Sequence, residues 1–112
     1  MEIDCTIAEP VSSTDSKRYI TLDVGIHSEY VTRVHTFKTL PVKHLMDPLT
    51  GTLLRVKVPF RYNRVMCEVT GAKTVQELVK GDPVHVTLTY CGWWTTGEYG
   101  GPSWKLKALR AK

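Results

Sequence analysis

Long apolar runs are missing from this chain of 112 residues. No stretch approaches the ~20 consecutive apolar residues of a membrane-spanning helix, so no membrane partner is expected. Residues 1–10 carry three acids, Glu2, Asp4 and Glu9, with neither a basic start nor an apolar core, and no cleavable secretory signal is expected there. Cysteine is scarce: Cys5, Cys67 and Cys91 are odd in number and widely spaced, which argues against a disulfide framework and for a reducing, intracellular compartment. Metal-ligand spacings are missing as well. There is no Cys-x-x-Cys or His-x-x-x-His, and His27, His35, His44 and His85 are scattered, so neither metal nor cofactor is expected. Beyond residue 54 the only acids are Glu68, Glu77, Asp82 and Glu98, too sparse for a hydrolytic carboxylate pair. No Cys or Ser nucleophile with a His base follows from the spacing. Gly71-Ala72-Lys73-Thr74 resembles the end of a phosphate-binding P-loop, but Ala72 stands where that loop requires glycine, and a turn with a helix cap explains it better. An enzyme is not expected.

What remains is an ordinary globular composition, 42% hydrophobic and 23% charged, of a size that suits one domain over residues 1–112. The net charge of +4 is unevenly spread. Residues 1–54 hold five Lys/Arg against seven acids, a net of −2, while residues 55–112 hold ten against four, a net of +6. Such an asymmetry points toward a polyanionic partner, because clustered cations gain free energy by releasing condensed counterions.

Alternation with a period of two dominates the hydrophobic pattern. Over residues 19–26, Ile20, Leu22, Val24 and Ile26 share one face; over 84–90, Val84, Val86, Leu88 and Tyr90 do the same after a break at Gly81-Asp82-Pro83. Weaker strands are predicted over 3–8, 30–39, 54–60 running on to 64–69, and 103–110. The one predicted helix begins at Thr74-Val75-Gln76-Glu77, which has the form of a capping box, and ends at Gly81 after about two turns. Loops are expected over 9–18, 41–52 and 93–102. Strands, a short helix, then two final strands is the layout of the OB-fold, so the expected class is all-β: a small antiparallel OB-like Greek-key barrel with one short helix before the last two strands.

Two segments carry the chemistry. In residues 55–64, alternation places Val56, Val58 and Phe60 on one side and Arg55, Lys57 and Arg61 on the other. Cations at ~6.6–6.8 Å intervals along a strand match the step between phosphates of an extended single strand. Tyr62 and Arg64 sit beside them, and a base can stack on such a ring for roughly 1–3 kcal/mol. In residues 91–107, Trp93, Trp94, Tyr99 and Trp104 are interleaved with four glycines, expected to make the loop mobile, and run into a strand with Lys105 and Lys107. Aromatics next to cations suit sequence-tolerant binding of single strands. Of the tryptophans, Trp104, in register with Leu106 and Ala108, is the best candidate to plug the barrel, and Trp94 and Tyr99 the best for contact.

The stretch 81–109, with its Gly-Asp-Pro break, Val-rich strand, Gly/aromatic loop and Trp-Lys-Leu-Lys strand, resembles the last two strands of OB-fold single-stranded DNA-binding proteins, including the small phage and viral ones. The resemblance implies that Trp93, Trp94 and Tyr99 act as loop contacts and Arg55, Lys57 and Arg61 as groove contacts. It implies a role of replication or recombination type. The basic end at Lys112 departs from the acidic tails of the bacterial members, so recruitment of partner enzymes by such a tail is not expected. The candidate binding residues are therefore Arg55, Lys57, Arg61, Tyr62, Arg64, Trp93, Trp94, Tyr99, Trp104, Lys105 and Lys107. The expected partner is single-stranded DNA, with RNA open, bound by a homodimer or larger assembly; a protein-interaction module using the Trp-rich loop is the alternative.

Overall fold

The computed structural model describes residues 1–11, 18–37, 39–61 and 64–112. Its strands in chain order are β1 (Glu2–Glu9), β2 (Tyr19–Asp23), β3 (His44–Leu45), β4 (Leu49–Thr50), β5 (Leu53–Lys57), β6 (Phe60–Arg61), β7 (Arg64–Val65), β8 (Glu68–Gly71), β9 (Pro83–Thr96) and β10 (Tyr99–Ala111). A helix, α1 (Ser28–Phe37), lies between β2 and β3. No helix among the described residues is long and apolar enough to cross a membrane.

The five principal strands close on themselves in the order β1-β2-β5-β10-β9 and back to β1. All of these pairings are antiparallel except the last to close, β5 against β10, which is parallel. Numbered along the chain, the circuit reads 1-2-3-5-4, and the molecule is a small all-β, OB-like barrel with extra short strands. Alternation explains why the circuit holds. Ile3 and Ile7 of β1, Ile20 and Leu22 of β2, Leu54 and Val56 of β5, Val84, Val86 and Leu88 of β9, and Trp104, Leu106 and Leu109 of β10 all point inward and are buried. The residues between them, Tyr19, Thr21, Arg55, Lys57 and Lys105 among them, face out. A bulge shifts the phase of β10: Leu106 pairs with Leu88 and Ala108 with Thr87, so Lys107 is an extra residue with no partner on β9. The inward set therefore continues at Leu109 and Ala111 instead of Ala108.

Four expectations are corrected here. Residues 30–39 read as a strand, yet residues 30–37 belong to α1. Its β-branched and aromatic residues favour strand locally, but Val31, Val34 and His35 fall at i, i+3 and i+4 on one helical face, and packing of that face against the barrel decides. The helix expected before the last two strands is a single 3-10 turn at Val75–Glu77. The Glu77 carboxylate does accept from the Thr74 N–H (3.1 Å) and the Thr74 hydroxyl (2.9 Å). The chain leaves the helix at Leu78, which is extended and buried, and Asp82 takes the Val79 N–H at 3.0 Å. Residues 93–102 are no mobile loop: β9 and β10 pair in register from Trp93 and Pro102 to Thr96 and Tyr99 around a Gly97-Glu98 turn, with Gly97 at φ +61. Finally, the basic strand is broken. β5 ends at Lys57, and Arg61 belongs to a separate two-stranded sheet of β6 and β7.

Candidate nucleic-acid interface

The outer faces of β2, β5 and β10 form the floor of an open groove of about 1110 Å³. Strand pairing sets its chemistry. Tyr19 stands opposite Lys57, and Lys57 opposite Lys105, so an aromatic ring and two ammonium groups lie side by side on three neighbouring strands. Arg55, two residues along β5 on the same face, lays its guanidinium over the Tyr19 ring at 4.4 Å. Arg18 does the same over Phe60 at 5.3 Å. The opposite wall is apolar: Leu45, Met46 and Pro48 from the segment before β4, with Pro102 and Trp94 from the hairpin. Glu9 and Asp47 are the two acids in the lining, against the cations Arg55, Lys57 and Lys105.

That apolar wall is held against the hairpin by backbone. The Glu98 carbonyl accepts from the N–H groups of Lys43 (3.1 Å) and His44 (2.9 Å), and the Gly100 carbonyl from Met46 (2.8 Å). Such close approach explains the glycine pair: a Cβ at Gly100 would run into the Trp94 carbonyl, and one at Gly101 into the Met46 carbonyl. The glycines serve contact, where the sequence suggested mobility.

Behind the groove, Trp104 is buried and its indole N–H donates to His35 Nε2 at 2.8 Å. An indole can only donate, so Nε2 must hold a lone pair and the imidazole proton sits on Nδ1, toward Asp47 Oδ1 at 3.7 Å. Burial holds the His35 pKa below its ordinary value, against the opposing pull of Asp47. The Trp93 indole donates to the His35 carbonyl at 3.2 Å. Two of the three tryptophans thus tie α1 to the hairpin.

The structure therefore sorts the candidate residues. Arg55, Lys57, Lys105 and Trp94 come together in the groove, Trp94 being 38% exposed. Trp104 lines the groove but is buried, and Trp93 is half-buried against α1 with its indole N–H on the His35 carbonyl, outside the groove lining. Tyr99 is exposed at the hairpin end but is stacked on His44, ring centroids 5.0 Å apart, outside the groove lining. Lys107 sits on the bulge and Arg61 on β6, both outside the lining. Arg64 borders a separate hollow of about 540 Å³ with Cys67 and Lys73. Tyr62 lies outside the described residues. Tyr19, Phe60 and the wall 45–48 were missed. Tyr19 carried a signal, since it alternates with Ile20 on the polar face of its strand; the wall carried none, because its placement depends on backbone contacts with a distant hairpin.

Among the described residues no three His, Cys, Asp or Glu side chains converge as metal ligands. Comparison with protein-family models, curated proteins and solved structures finds no match for this chain.

Proposed function

We propose that the groove binds single-stranded nucleic acid, DNA in the first place, largely without sequence preference. The observation that carries this reading is the combination, in one open channel, of Arg55, Lys57 and Lys105 with Tyr19, Phe60 and Trp94. Cations answer the phosphate on every nucleotide and aromatic faces answer every base, so affinity needs no particular sequence. The role is protective coverage of single strands, of the kind replication and recombination require. One groove of this kind engages few nucleotides, so two or more copies acting together, a homodimer at least, would supply the avidity.

The test is a titration of ~30-nucleotide oligo(dT) into the protein, read by Trp emission and by a label on the oligomer, at low and high salt. Binding that quenches Trp and weakens with salt is expected; absence of binding at low salt overturns the reading. Oligo(rU) in the same assay decides the sugar. The exposed Leu45, Met46 and Trp94 favour one second reading, a protein partner anchored on the apolar wall. Such an anchor would hold its affinity as salt rises, where a phosphate-dominated complex would not.

A further inference from the structure

Among the described residues, Lys57 and Lys105 are the one pair in register between β5 and β10, the two strands whose pairing closes the barrel. Paired positions share a face, and neighbouring strands lie ~4.8 Å apart, so two ammonium groups stand over the seam. Arg55 adds a third positive charge ~6.6 Å along β5. Among the described residues no carboxylate lies within ion-pair distance of either lysine. The Cys67 thiol near Lys105 supplies no counter-charge, because burial pushes its pKa up. Like charges directly opposite one another weaken a strand pair. Here they do so at the shortest pairing of the circuit.

We propose that Lys57 and Lys105, with Arg55 beside them, are the phosphate station of the groove: successive backbone phosphodiesters of the bound strand neutralise the two ammonium groups, one each, and relieve the repulsion across the barrel seam. The bases then fall toward Trp94, Leu45 and Met46 on the apolar wall. This rests on the single-strand reading and adds the register of the strand in the groove. It also makes the free protein less stable for the sake of the complex, which distinguishes a binding pair of lysines from a solvated surface.

The experiment compares the full chain with Lys57→Gln, Lys105→Gln and the double variant, in thermal unfolding and in oligo(dT) binding. Lys57→Arg/Lys105→Arg keeps the charge, and Lys107→Gln removes a charge from the same strand outside the groove. For each Gln variant the expected loss at about 50 mM salt is about eightfold in affinity, with a salt slope shallower by about 0.7. Its melting temperature without oligonucleotide should rise at low salt and converge on that of the parent at high salt. The Arg variant and Lys107→Gln should bind like the parent. If the parent binds but the Gln variants keep its affinity and slope, the station is elsewhere and the single-strand reading stands. If they lose affinity while melting lower than the parent at low salt, the lysines are structural and the proposal fails. A parent that does not bind overturns both.

Discussion

At His35 the direction of one hydrogen bond decides a pH response. Trp104 must donate, so His35 can take up a proton on Nε2 only by giving up that bond. The unfolded chain protonates this histidine near pH 6.5, and the folded chain does so only at lower pH. Between those values the unfolded state binds more protons, so this part of the stability is present above about pH 6.5 and is lost as pH falls below it. Denaturant unfolding from pH 8 to pH 5 should show that loss, with a slope of at most about 1.4 kcal/mol per pH unit from this group, and His35→Gln, which keeps an acceptor for Trp104, should flatten it. Trp104→Phe should cost about 3 kcal/mol at pH 8, since it strands the His35 acceptor and leaves a void. Cysteine gives a further check at this scale. Cys91 is exposed in the groove, whereas Cys5 and Cys67 are partly buried and the Cys5 pKa is pushed up to about 12. Maleimide at neutral pH should modify one thiol quickly, and oligo(dT) should slow that reaction if the groove is the binding site.

Elements were legible wherever one face is buried and the other wet. β2, β5 and the first half of β9 alternate cleanly, and the sequence places β2 and β5 within a few residues and β9 from Val84 to Tyr90, short of its end at Thr96. α1 was not legible, because Tyr30, Val31, Thr32, Val34 and Thr36 favour strand locally and only tertiary packing of Val31 and His35 overrides them. The long hairpin was misread for a related reason: glycine at 97, 100 and 101 suggests a loop, but it is required for a tight turn and for two close backbone approaches. Those roles separate experimentally. Gly97→Ala strains one exposed turn and should cost about 1 kcal/mol with binding unchanged. Gly101→Ala drives a methyl into the Met46 carbonyl, so it should cost about 2 kcal/mol and displace the apolar wall, lowering oligo(dT) affinity severalfold.

Across the whole molecule, the charge asymmetry of the sequence turns into a spatial one. On the β1–β9 side, acids and cations pair with each other: Asp4 meets Lys112 at 2.6 Å and His85 at 3.0 Å, and Glu2 lies 3.6 Å from His85. The cations of β5 and β10 in the groove have no such pairing among the described residues, so the acidic first half compensates the basic second half on one side of the barrel only. That distribution was hidden in the linear count, because it depends on which strands become neighbours. It sets the final prediction. With three groove cations each meeting a phosphate, the logarithm of affinity for oligo(dT) should fall against the logarithm of salt with a slope of about −2 per groove, roughly a 40-fold loss between about 50 and about 300 mM. Charge elsewhere should not enter: Lys112→Gln, on the self-compensated side, should leave the slope unchanged. A slope near zero with binding intact would mean that the partner is held by the apolar wall, and would favour the protein-partner reading. A slope much steeper than −2 would place more phosphates on the protein than one groove accommodates, and analytical ultracentrifugation of the complex would then show more than one copy on the strand.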